Sequence, residues 1–286
     1  MNNHSLIDYL AVDLSALFLR KSKMFRDGIE SAPLREHLKA VSLDLPPIGA
    51  IGYYEARAGT LAGVLNPAFR IAQWKGPAFP TIIYHHGAGE NPYDKSFNWI
   101  FPVGKMPIQA NLAAVRISRG RTREEYTAAL RSLNTFMAML AVSVRLIEHL
   151  VLFSRSRGTS RVTVAGVSLG GFVANLHHIF FNSADIYKPL FSGVAMGDLL
   201  LDSAYRNLCS PLALRSPERI RALLNFDDDF ARAGSGNVYP LLGRYDQISV
   251  FNRQRLIYDP QRLTVLPRGH TTGLLAVKAL RRHILS

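Results

Sequence analysis

Residues Val162–Leu176 read VTVAGVSLGGFVANL, and this stretch decides the fold. The run Val162–Ala165 is apolar and β-branched, which is typical of a buried strand. It leads into the pattern G-x-S-x-G at Gly166–Gly170, and the text that follows is helical in composition. A strand, a sharp turn and a helix around a central serine form a nucleophile elbow, with the hydroxyl of Ser168 exposed. An ordinary glycine-rich turn between strand and helix is the structural alternative.

Strand-like and helix-like segments alternate around this stretch, which favours a parallel sheet covered by helices on both faces. The predicted strands are Thr81–Tyr84, Leu112–Ile117, Val162–Ala165, Gly193–Met196, Val238–Leu242 and Leu263–Leu266, with two earlier ones at Ile51–Ala56 and Phe69–Trp74. The predicted helices are Thr122–Phe153 with a break near Asn134, Leu169–Phe181, Gln247–Tyr258 and Thr271–Leu285. The predicted fold class is therefore α/β, with a mostly parallel central sheet flanked by helices.

The 286 residues are predicted to form one domain with an N-terminal helical extension over residues 1–45. Apolar residues recur there every three or four positions, which predicts an amphipathic helix. They are Leu6, Leu10, Leu14, Leu17 and Phe18. Ser5 and Asp8 resemble a capping box at the start of this helix.

A helical insertion is predicted over residues 199–236. About forty residues separate the predicted strands on either side of it, well beyond a usual connection in a compact domain. Within it, Ser216-Pro217-Glu218 combines a capping residue, a proline at the first helical position and an acid in the first turn. We expect a small helical cap over the C-terminal edge of the sheet.

The composition indicates a globular protein, because hydrophobic residues make up 48% and charged residues 19%. The net charge of +13 suggests an anionic substrate. Nucleic-acid binding is not indicated, since neither a basic helix with interleaved aromatics nor zinc-finger spacing occurs. The single cysteine, Cys209, excludes an intrachain disulfide and is interpreted as a small buried hydrophobe.

The chain is predicted to be cytoplasmic and without a membrane span. Its first Lys or Arg is Arg20, so the basic flank of a signal peptide is missing. The most apolar long stretch, Phe136–Phe153, carries Arg145, Glu148 and His149, which would be costly at bilayer depth. It is interpreted as a buried helix.

Neither a metal nor a nucleotide cofactor is predicted. The nine histidines form no HxH, HxxxH or HExxH spacing, and the adjacent pair His85 and His86 would point to opposite faces of a strand. The phosphate-binding patterns G-x-x-x-x-G-K-[ST] and G-x-G-x-x-G are also absent.

From Pro77 to its C-terminus the chain resembles the α/β-hydrolase superfamily, whose catalytic residues come in the order nucleophile, acid, histidine. Ser168 is the implied nucleophile. Asp246, in Gly243-Arg244-Tyr245-Asp246 after a predicted strand, matches the acid, and His270, in Pro267-Arg268-Gly269-His270, matches the histidine. Some members carry the acid after an earlier strand, which leaves Asp198 as the alternative acid. If it is not catalytic, Asp198 is interpreted as a turn residue.

The resemblance also implies an oxyanion hole, formed by two backbone N–H groups. The strand Thr81–Tyr84 runs into a His-Gly loop, His85-His86-Gly87-Ala88-Gly89, from which Ala88 would supply one donor. The residue after the nucleophile, Leu169, would supply the other. The loop lacks the three-glycine form of the family.

The implied activity is that of a serine hydrolase that cleaves a carboxylic ester or thioester, a small-molecule substrate, through an acyl-enzyme. A peptidase or acyltransferase of the same fold, or a non-catalytic binding protein, is the alternative. A serine nucleophile disfavours the dehalogenase and epoxide-hydrolase branches. Arg119 and Arg121, with Arg116 and Arg123, follow a strand that ends near the same edge and would clamp an anionic substrate. The alternative is that these arginines belong to a solvated loop that leads into a helix and bind no substrate.

Overall fold

The computed structural model describes residues 2–18, 23–49 and 51–286. Its strands are β1 Ser42–Asp44, β2 Gly52–Glu55, β3 Arg57–Thr60, β4 Gly63–Leu65, β5 Ala68–Gln73, β6 Thr81–His85, β7 Asn111–Arg116, β8 Val162–Val167, β9 Ile186–Leu190, β10 Leu241–Gly243 and β11 Thr264–Leu266. Its helices are α1 Asn3–Phe18, α2 Leu34–Ala40, α3 Lys95–Ile100, α4 Arg123–Ala129, α5 Leu133–Ser156, α6 Leu169–Phe180, α7 Met196–Asp202, α8 Pro211–Leu214, α9 Pro217–Leu224, α10 Asp227–Ala233, α11 Phe251–Gln254, α12 His270–Leu274 and α13 Val277–Leu285. Two 3₁₀ turns cover Ala204–Leu208 and Arg255–Ile257.

Within the described ranges, eight strands form one central sheet in the order β11-β10-β9-β8-β6-β7-β5-β2. The strands from β11 to β7 pair in parallel, whereas β5 pairs antiparallel with both β7 and β2. The predicted α/β class with a mostly parallel sheet is confirmed. Because the parallel strands share one direction, the loops after β6, β8, β10 and β11 emerge at the same edge.

Each face of the central sheet carries its own hydrophobic cluster, because successive strand residues point to opposite sides. Ile83 and Val164 belong to the cluster that includes helices α5 and α6. Ile82, Tyr84 and Ala165 belong to the cluster that includes α3 and α13. Helices therefore cover both faces, as the sequence predicts.

Helix α5 is long and apolar enough to cross a membrane by length and composition alone. Most of it is buried inside the protein, where it contacts α2, α6 and the central strands. It is therefore a core helix, in agreement with the argument that its charged residues disfavour a membrane span. The predicted break before it lies at residues 130–132, where the Ser132 hydroxyl accepts the N–H of Thr135 at 3.4 Å.

The predicted strand Gly193–Met196 is wrong. The strand of this region is β9, and residues 193–195 form the connection to α7. β9 reads IYKPL, and Pro189 has no N–H to give to its neighbour. The N–H groups of Tyr187 and Phe191 bind the carbonyls of Asn237 and Leu241, so Pro189 faces the carbonyl of Tyr239 between them.

That carbonyl receives another donor. His283, on the terminal helix α13, places its Nε2 2.9 Å from the oxygen of Tyr239. The imidazole thus satisfies the acceptor that Pro189 leaves open, and a proline is accommodated inside a central sheet.

The connection between β9 and β10 contains helices α7 to α10. Helix α9 begins at Pro217 behind Ser216, as the helix-start signal predicts. Helix α7 packs on α9, and α10 packs on α6, the helix that follows Ser168. The role of residues 199–236 as a cap over the sheet edge stays a prediction, as does the division of the chain into one domain with an extension.

Helix α1 packs with its polar face, which includes Ser5 and Asp8, toward the rest of the protein. It begins at Asn3, so the predicted capping box of Ser5 and Asp8 is wrong. The side chains of Ser5, Asp8 and Val12 are buried against the rest of the protein, whereas those of Leu6, Leu10 and Leu14 are exposed. The physical reason is that the Asp8 carboxylate accepts hydrogen bonds from backbone N–H groups of two loops. The side chains of Leu17 and Phe18 lie outside the described residues.

Candidate active site

Ser168 lies at a strained turn between β8 and α6. Its φ of 55° and ψ of −117° are unusual for a residue with a side chain. The neighbouring glycines are required by the close approach of the backbone, because a Cβ on Gly166 would lie 2.2 Å from the carbonyl oxygen of Gly170. A Cβ on Gly170 would lie 2.0 Å from the carbonyl oxygen of His85. The predicted elbow geometry is present.

Three side chains from separate loops form one hydrogen-bonded line at this edge of the sheet. The Oγ of Ser168 lies 2.9 Å from Nε2 of His270, and Nδ1 of the same ring lies 2.8 Å from Oδ2 of Asp246. Asp246 and His270 are buried, whereas Ser168 is partly exposed. The ring of Phe191 meets the imidazole edge to face at 5.9 Å. The imidazole can therefore accept the serine proton while the carboxylate holds its other nitrogen.

Backbone N–H groups fix the orientation of Asp246. Its Oδ1 accepts the N–H groups of Ile248 at 2.8 Å and Ser249 at 2.7 Å, so only Oδ2 faces the imidazole. Asp246 follows β10, and His270 is the first residue of α12 after β11. These two strands are neighbours in the sheet, which brings both loops beside Ser168.

The pKa of His270 is raised above its ordinary value of 6.5. Burial alone would lower it, but the carboxylate of Asp246 outweighs burial through its charge and its hydrogen bond. Asp8 adds to the effect of Asp246. The surroundings therefore favour the imidazolium form that arises when the ring takes a proton.

The loop after β6 lies against the other side of Ser168. A Cβ on Gly87 would stand 3.7 Å from Cβ of Ser168. Nδ1 of His86 lies 2.6 Å from the carbonyl oxygen of Gly87, and its Nε2 accepts the N–H of Ile117 at 3.2 Å. Burial lowers the pKa of His86 to about 3, so the ring is neutral and Nδ1 carries the proton.

This contact fixes the direction of the next N–H group. In a trans peptide the carbonyl of Gly87 and the N–H of Ala88 point in opposite directions. Ala88 itself is exposed, and Leu169 is the first residue of α6, whose first N–H groups have no acceptor within the helix. His86 is therefore a further functional candidate. The sequence places it in the His-Gly loop without a role of its own, although its position before Gly87 was a usable signal.

Asp198 lies elsewhere. It is in the first turn of α7, and its Oδ1 accepts from Arg221 at 2.9 Å while its Oδ2 accepts from Arg253 at 2.6 Å. The side chain therefore ties α7 to α9 and α11. It is already engaged by two cations, whereas Asp246 holds the imidazole.

Arg119 and Arg121 line an open cleft of about 640 Å³ beside β2 and β4. Ser168 and His270 are not among the described residues that line it. Arg121 pairs with Glu55 at 2.9 Å, and Arg116 makes a bidentate pair with the same carboxylate at 2.8 Å. These contacts support the solvated-loop interpretation of Arg121, and the anionic-substrate hypothesis stays a prediction.

Among the residues that the structure describes, no group of three or more His, Cys, Asp or Glu side chains is arranged to hold a metal ion.

No protein-family model and no curated protein matches the sequence. Solved structures match the fold. Acetyl xylan esterase 1 from Thermoanaerobacterium sp. JW/SL YS485 has a TM-score of 0.57 at 15% identity, over 93% of this chain and 98% of its own. Est1E from Butyrivibrio proteoclasticus has a TM-score of 0.52 at 12% identity, over 85% and 97%.

An acylaminoacyl peptidase from Pyrococcus horikoshii also matches, with a TM-score of 0.55 at 12% identity. The match covers 83% of this chain but 40% of the peptidase. These similarities show the α/β-hydrolase fold and confirm the resemblance inferred from the motifs.

Proposed function

From the α/β-hydrolase fold and the site geometry, we propose that the protein is a serine hydrolase that cleaves a carboxylic ester or thioester through an acyl-enzyme intermediate. The observation that carries the proposal is the continuous hydrogen-bonded line from Ser168 through His270 to Asp246. The strained backbone of Ser168 supports it, because strain of about 1–3 kcal/mol is retained mainly where it serves function.

In the first half-reaction, Oγ of Ser168 attacks the carbonyl carbon of the substrate and passes its proton to Nε2 of His270. The carbonyl π electrons move to oxygen and form an oxyanion. When the tetrahedral intermediate collapses, the bond from carbon to the leaving oxygen or sulfur breaks. The leaving group takes the proton from Nε2 and departs as an alcohol or thiol. Asp246 holds the imidazole in the tautomer with the proton on Nδ1 throughout.

In the second half-reaction, water replaces the alcohol. His270 takes a proton from the water, the new oxygen bonds to the acyl carbon, and the bond to Oγ breaks as the proton returns to Ser168. The acid is released and the enzyme is restored. We assign the N–H groups of Ala88 and Leu169 to the oxyanion, because His86 directs the first and the start of α6 leaves the second without a helical acceptor.

The reaction class is tested on the intact protein. A fluorophosphonate probe should label it covalently, and a chain-length series of p-nitrophenyl esters and matched thioesters should be hydrolysed. The acetyl xylan esterase that shares the fold supports an ester over an amide, while the acylaminoacyl peptidase keeps aminoacyl amides in the panel as the alternative. Transfer of the acyl group to an added alcohol would indicate an acyltransferase. Absence of both labelling and turnover would leave a non-catalytic binding protein.

The pH dependence of the reaction follows from the raised pKa of His270. The imidazole must be neutral to accept the serine proton, and a raised pKa keeps it protonated to higher pH. We expect kcat/KM for a neutral ester to rise with pH through an apparent pKa above the ordinary 6.5 and to level off on the alkaline side. A pH series at constant ionic strength measures this. A plateau already complete below the ordinary histidine value would contradict the assignment of His270 as the base.

The anionic-substrate hypothesis makes a separate prediction. If Arg119 and Arg121 clamp the substrate, kcat/KM should be higher for anionic than for neutral esters and should fall as salt rises. The pairing of Arg121 with Glu55 leads us to expect little preference and little salt dependence. The comparison uses succinyl and butyryl p-nitrophenyl esters over a salt series. A preference for anionic esters that is lost in Arg121→Gln would establish the clamp.

The cytoplasmic location also stays a prediction.

A further inference from the structure

Asp8, on helix α1, is fully buried and lies against both loops of the site. Its Oδ2 accepts the N–H of His270 at 2.8 Å and that of Gln247 at 3.1 Å. Its Oδ1 accepts the N–H of Thr271 at 2.8 Å. Gln247 directly follows Asp246, so the Asp8 carboxylate, 262 residues before His270 in the chain, joins the loop of the acid to the loop of the histidine.

We propose that Asp8 is a positioning residue of this active site, which fixes the loops of Asp246 and His270 relative to each other and places a second negative charge behind the imidazole. The proposal rests on the proposed hydrolase function where it concerns turnover. Asp8 contacts neither the serine nor, by its location behind the histidine backbone, the reacting atoms.

The start of α12 explains why an acceptor is needed there. His270 and Thr271 are the first two residues of this short helix, and their N–H groups have no acceptor within it. Residues at the preceding cap position usually supply a side-chain oxygen, but Gly269 has none. A Cβ at Gly269 would lie 2.8 Å from Oδ2 of Asp8. The glycine thus makes room for a cap that comes from another helix.

Further contacts attach the same face of α1 to the loop of the acid. The hydroxyl of Ser5 donates to the carbonyl of Tyr245 at 3.2 Å, and the hydroxyl of Tyr9 donates to Oε1 of Gln247 at 3.3 Å. Hydrogen bonds to a carboxylate are roughly twice as strong as neutral ones, so Asp8 dominates this set. Helix α1 therefore acts on the residues that flank Asp246 and His270.

Two carboxylates face His270. Asp246 binds Nδ1 of the ring, and Asp8 lies at the backbone of the same residue. Ser168 and the ring of Phe191 are its other neighbours, and neither carries a charge. Asp246 and Asp8 both stabilise the imidazolium that forms during each proton transfer.

Among the described residues identified as neighbours of Asp8, none carries a positive charge that would neutralise its carboxylate. Tyr205, from the 3₁₀ turn that packs on α1, is neutral, because burial and the charges of Asp246 and Asp8 raise its pKa to about 12. His4, one turn before Asp8, stacks its ring on Tyr245 at 6.0 Å. Removal of the Asp8 charge should therefore lower the pKa of His270.

The test compares Asp8→Asn with Asp13→Asn. Asp13 is an exposed acid on the same helix and accepts from Asn207 at 3.1 Å, so its substitution removes the same charge away from the site. Asparagine keeps the shape of Asp8 but turns an NH₂ group toward backbone donors. We expect Asp8→Asn to lower kcat about tenfold or more with little change in KM, and to move the acidic limb of the pH profile to lower pH. Asp13→Asn should match the wild type in all three.

A measurement independent of turnover accompanies the kinetics. NMR titration of ¹⁵N-labelled histidines, with His270 assigned by loss of its signal in His270→Gln, reads the pKa of the imidazole directly. We expect His270 to titrate at lower pH in Asp8→Asn than in Asp13→Asn. If Asp8→Asn fails to fold, Asp8→Glu takes its place: retention of the charge should keep the His270 titration near the wild-type pH, while displacement of the carboxylate lowers kcat.

The outcomes separate the two proposals. An active wild type with identical kcat, pH limb and His270 titration in Asp8→Asn and Asp13→Asn would overturn the role of Asp8. A lower melting temperature without these changes would mean that Asp8 only stabilises the fold, and would also overturn it. If the wild type neither binds the probe nor hydrolyses esters, the proposed function fails, and the His270 titration alone decides: a lower pKa in Asp8→Asn supports the electrostatic coupling, and an equal one refutes it.

Discussion

Ser168→Ala should abolish ester hydrolysis and probe labelling, with kcat falling about 10⁴-fold or more. Oγ of Ser168 is the only protein atom that bonds covalently to the acyl group in the proposed mechanism. Its partly exposed hydroxyl contributes little packing, and alanine can occupy the same strained turn, so the variant should fold as the wild type does. Labelling with the fluorophosphonate probe, steady-state kinetics and thermal melting together measure this expectation.

The matched control is Ser156→Ala, an exposed serine whose hydroxyl donates to the carbonyl of Phe153 at the end of α5. It should keep full labelling and turnover. Covalent labelling of the Ser168→Ala protein at the wild-type rate would place the nucleophile on another residue. Mass spectrometry of the labelled peptide would then identify it.

Asp246→Asn should lower kcat at least about 10²-fold, a smaller loss than the roughly 10⁴-fold of the equivalent change in a serine protease. The asparagine Oδ1 can keep the N–H groups of Ile248 and Ser249, which leaves the NH₂ group facing Nδ1 of His270. That nitrogen must then accept, so the ring proton moves to Nε2. A ring protonated on Nε2 cannot take the proton of Ser168.

Asp198→Asn provides the contrast, because it removes an acid that the sequence left as the alternative. Its contacts are with Arg221 and Arg253, and we expect kcat to fall less than about tenfold. The two variants are compared at temperatures where both are folded. A larger loss in Asp198→Asn than in Asp246→Asn would assign the acid to Asp198.

Ser168, Asp246 and His270 can be predicted from the sequence because each lies in a recognisable local sequence pattern. Each follows an apolar run that ends a strand, and a glycine marks the turn at all three. Parallel strands then place the loops at one edge without further information. The strand β9 escapes the same reasoning. Lys188 and Pro189 interrupt its apolar pattern, although Lys188 is buried, with its ammonium over the ring of Tyr239.

Asp8 and the orientation of α1 could not be predicted from local pattern. The apolar residues Leu6, Leu10 and Leu14 mark a face that ordinarily packs inward. What reverses it is a set of backbone N–H groups from Gln247, His270 and Thr271, whose need for an acceptor is a property of tertiary structure. Buried N–H groups without an acceptor are costly, and the inward orientation of Asp8 supplies the acceptor that these three require.

The inward polar face of α1 also determines how its detachment would be observed. Among the residues of α1 whose side chains are described, the buried ones are Ser5, Asp8 and Val12, so release of residues 3–14 would expose few buried apolar side chains of the helix itself. The denaturant m-value and the heat capacity of unfolding scale with exposed area, and both would be nearly blind to such a local opening. The amide protons of His270 and Thr271, which Asp8 covers, would exchange with solvent as soon as the helix leaves. Hydrogen exchange at these two amides would therefore report the opening of the site while bulk unfolding curves stayed unchanged.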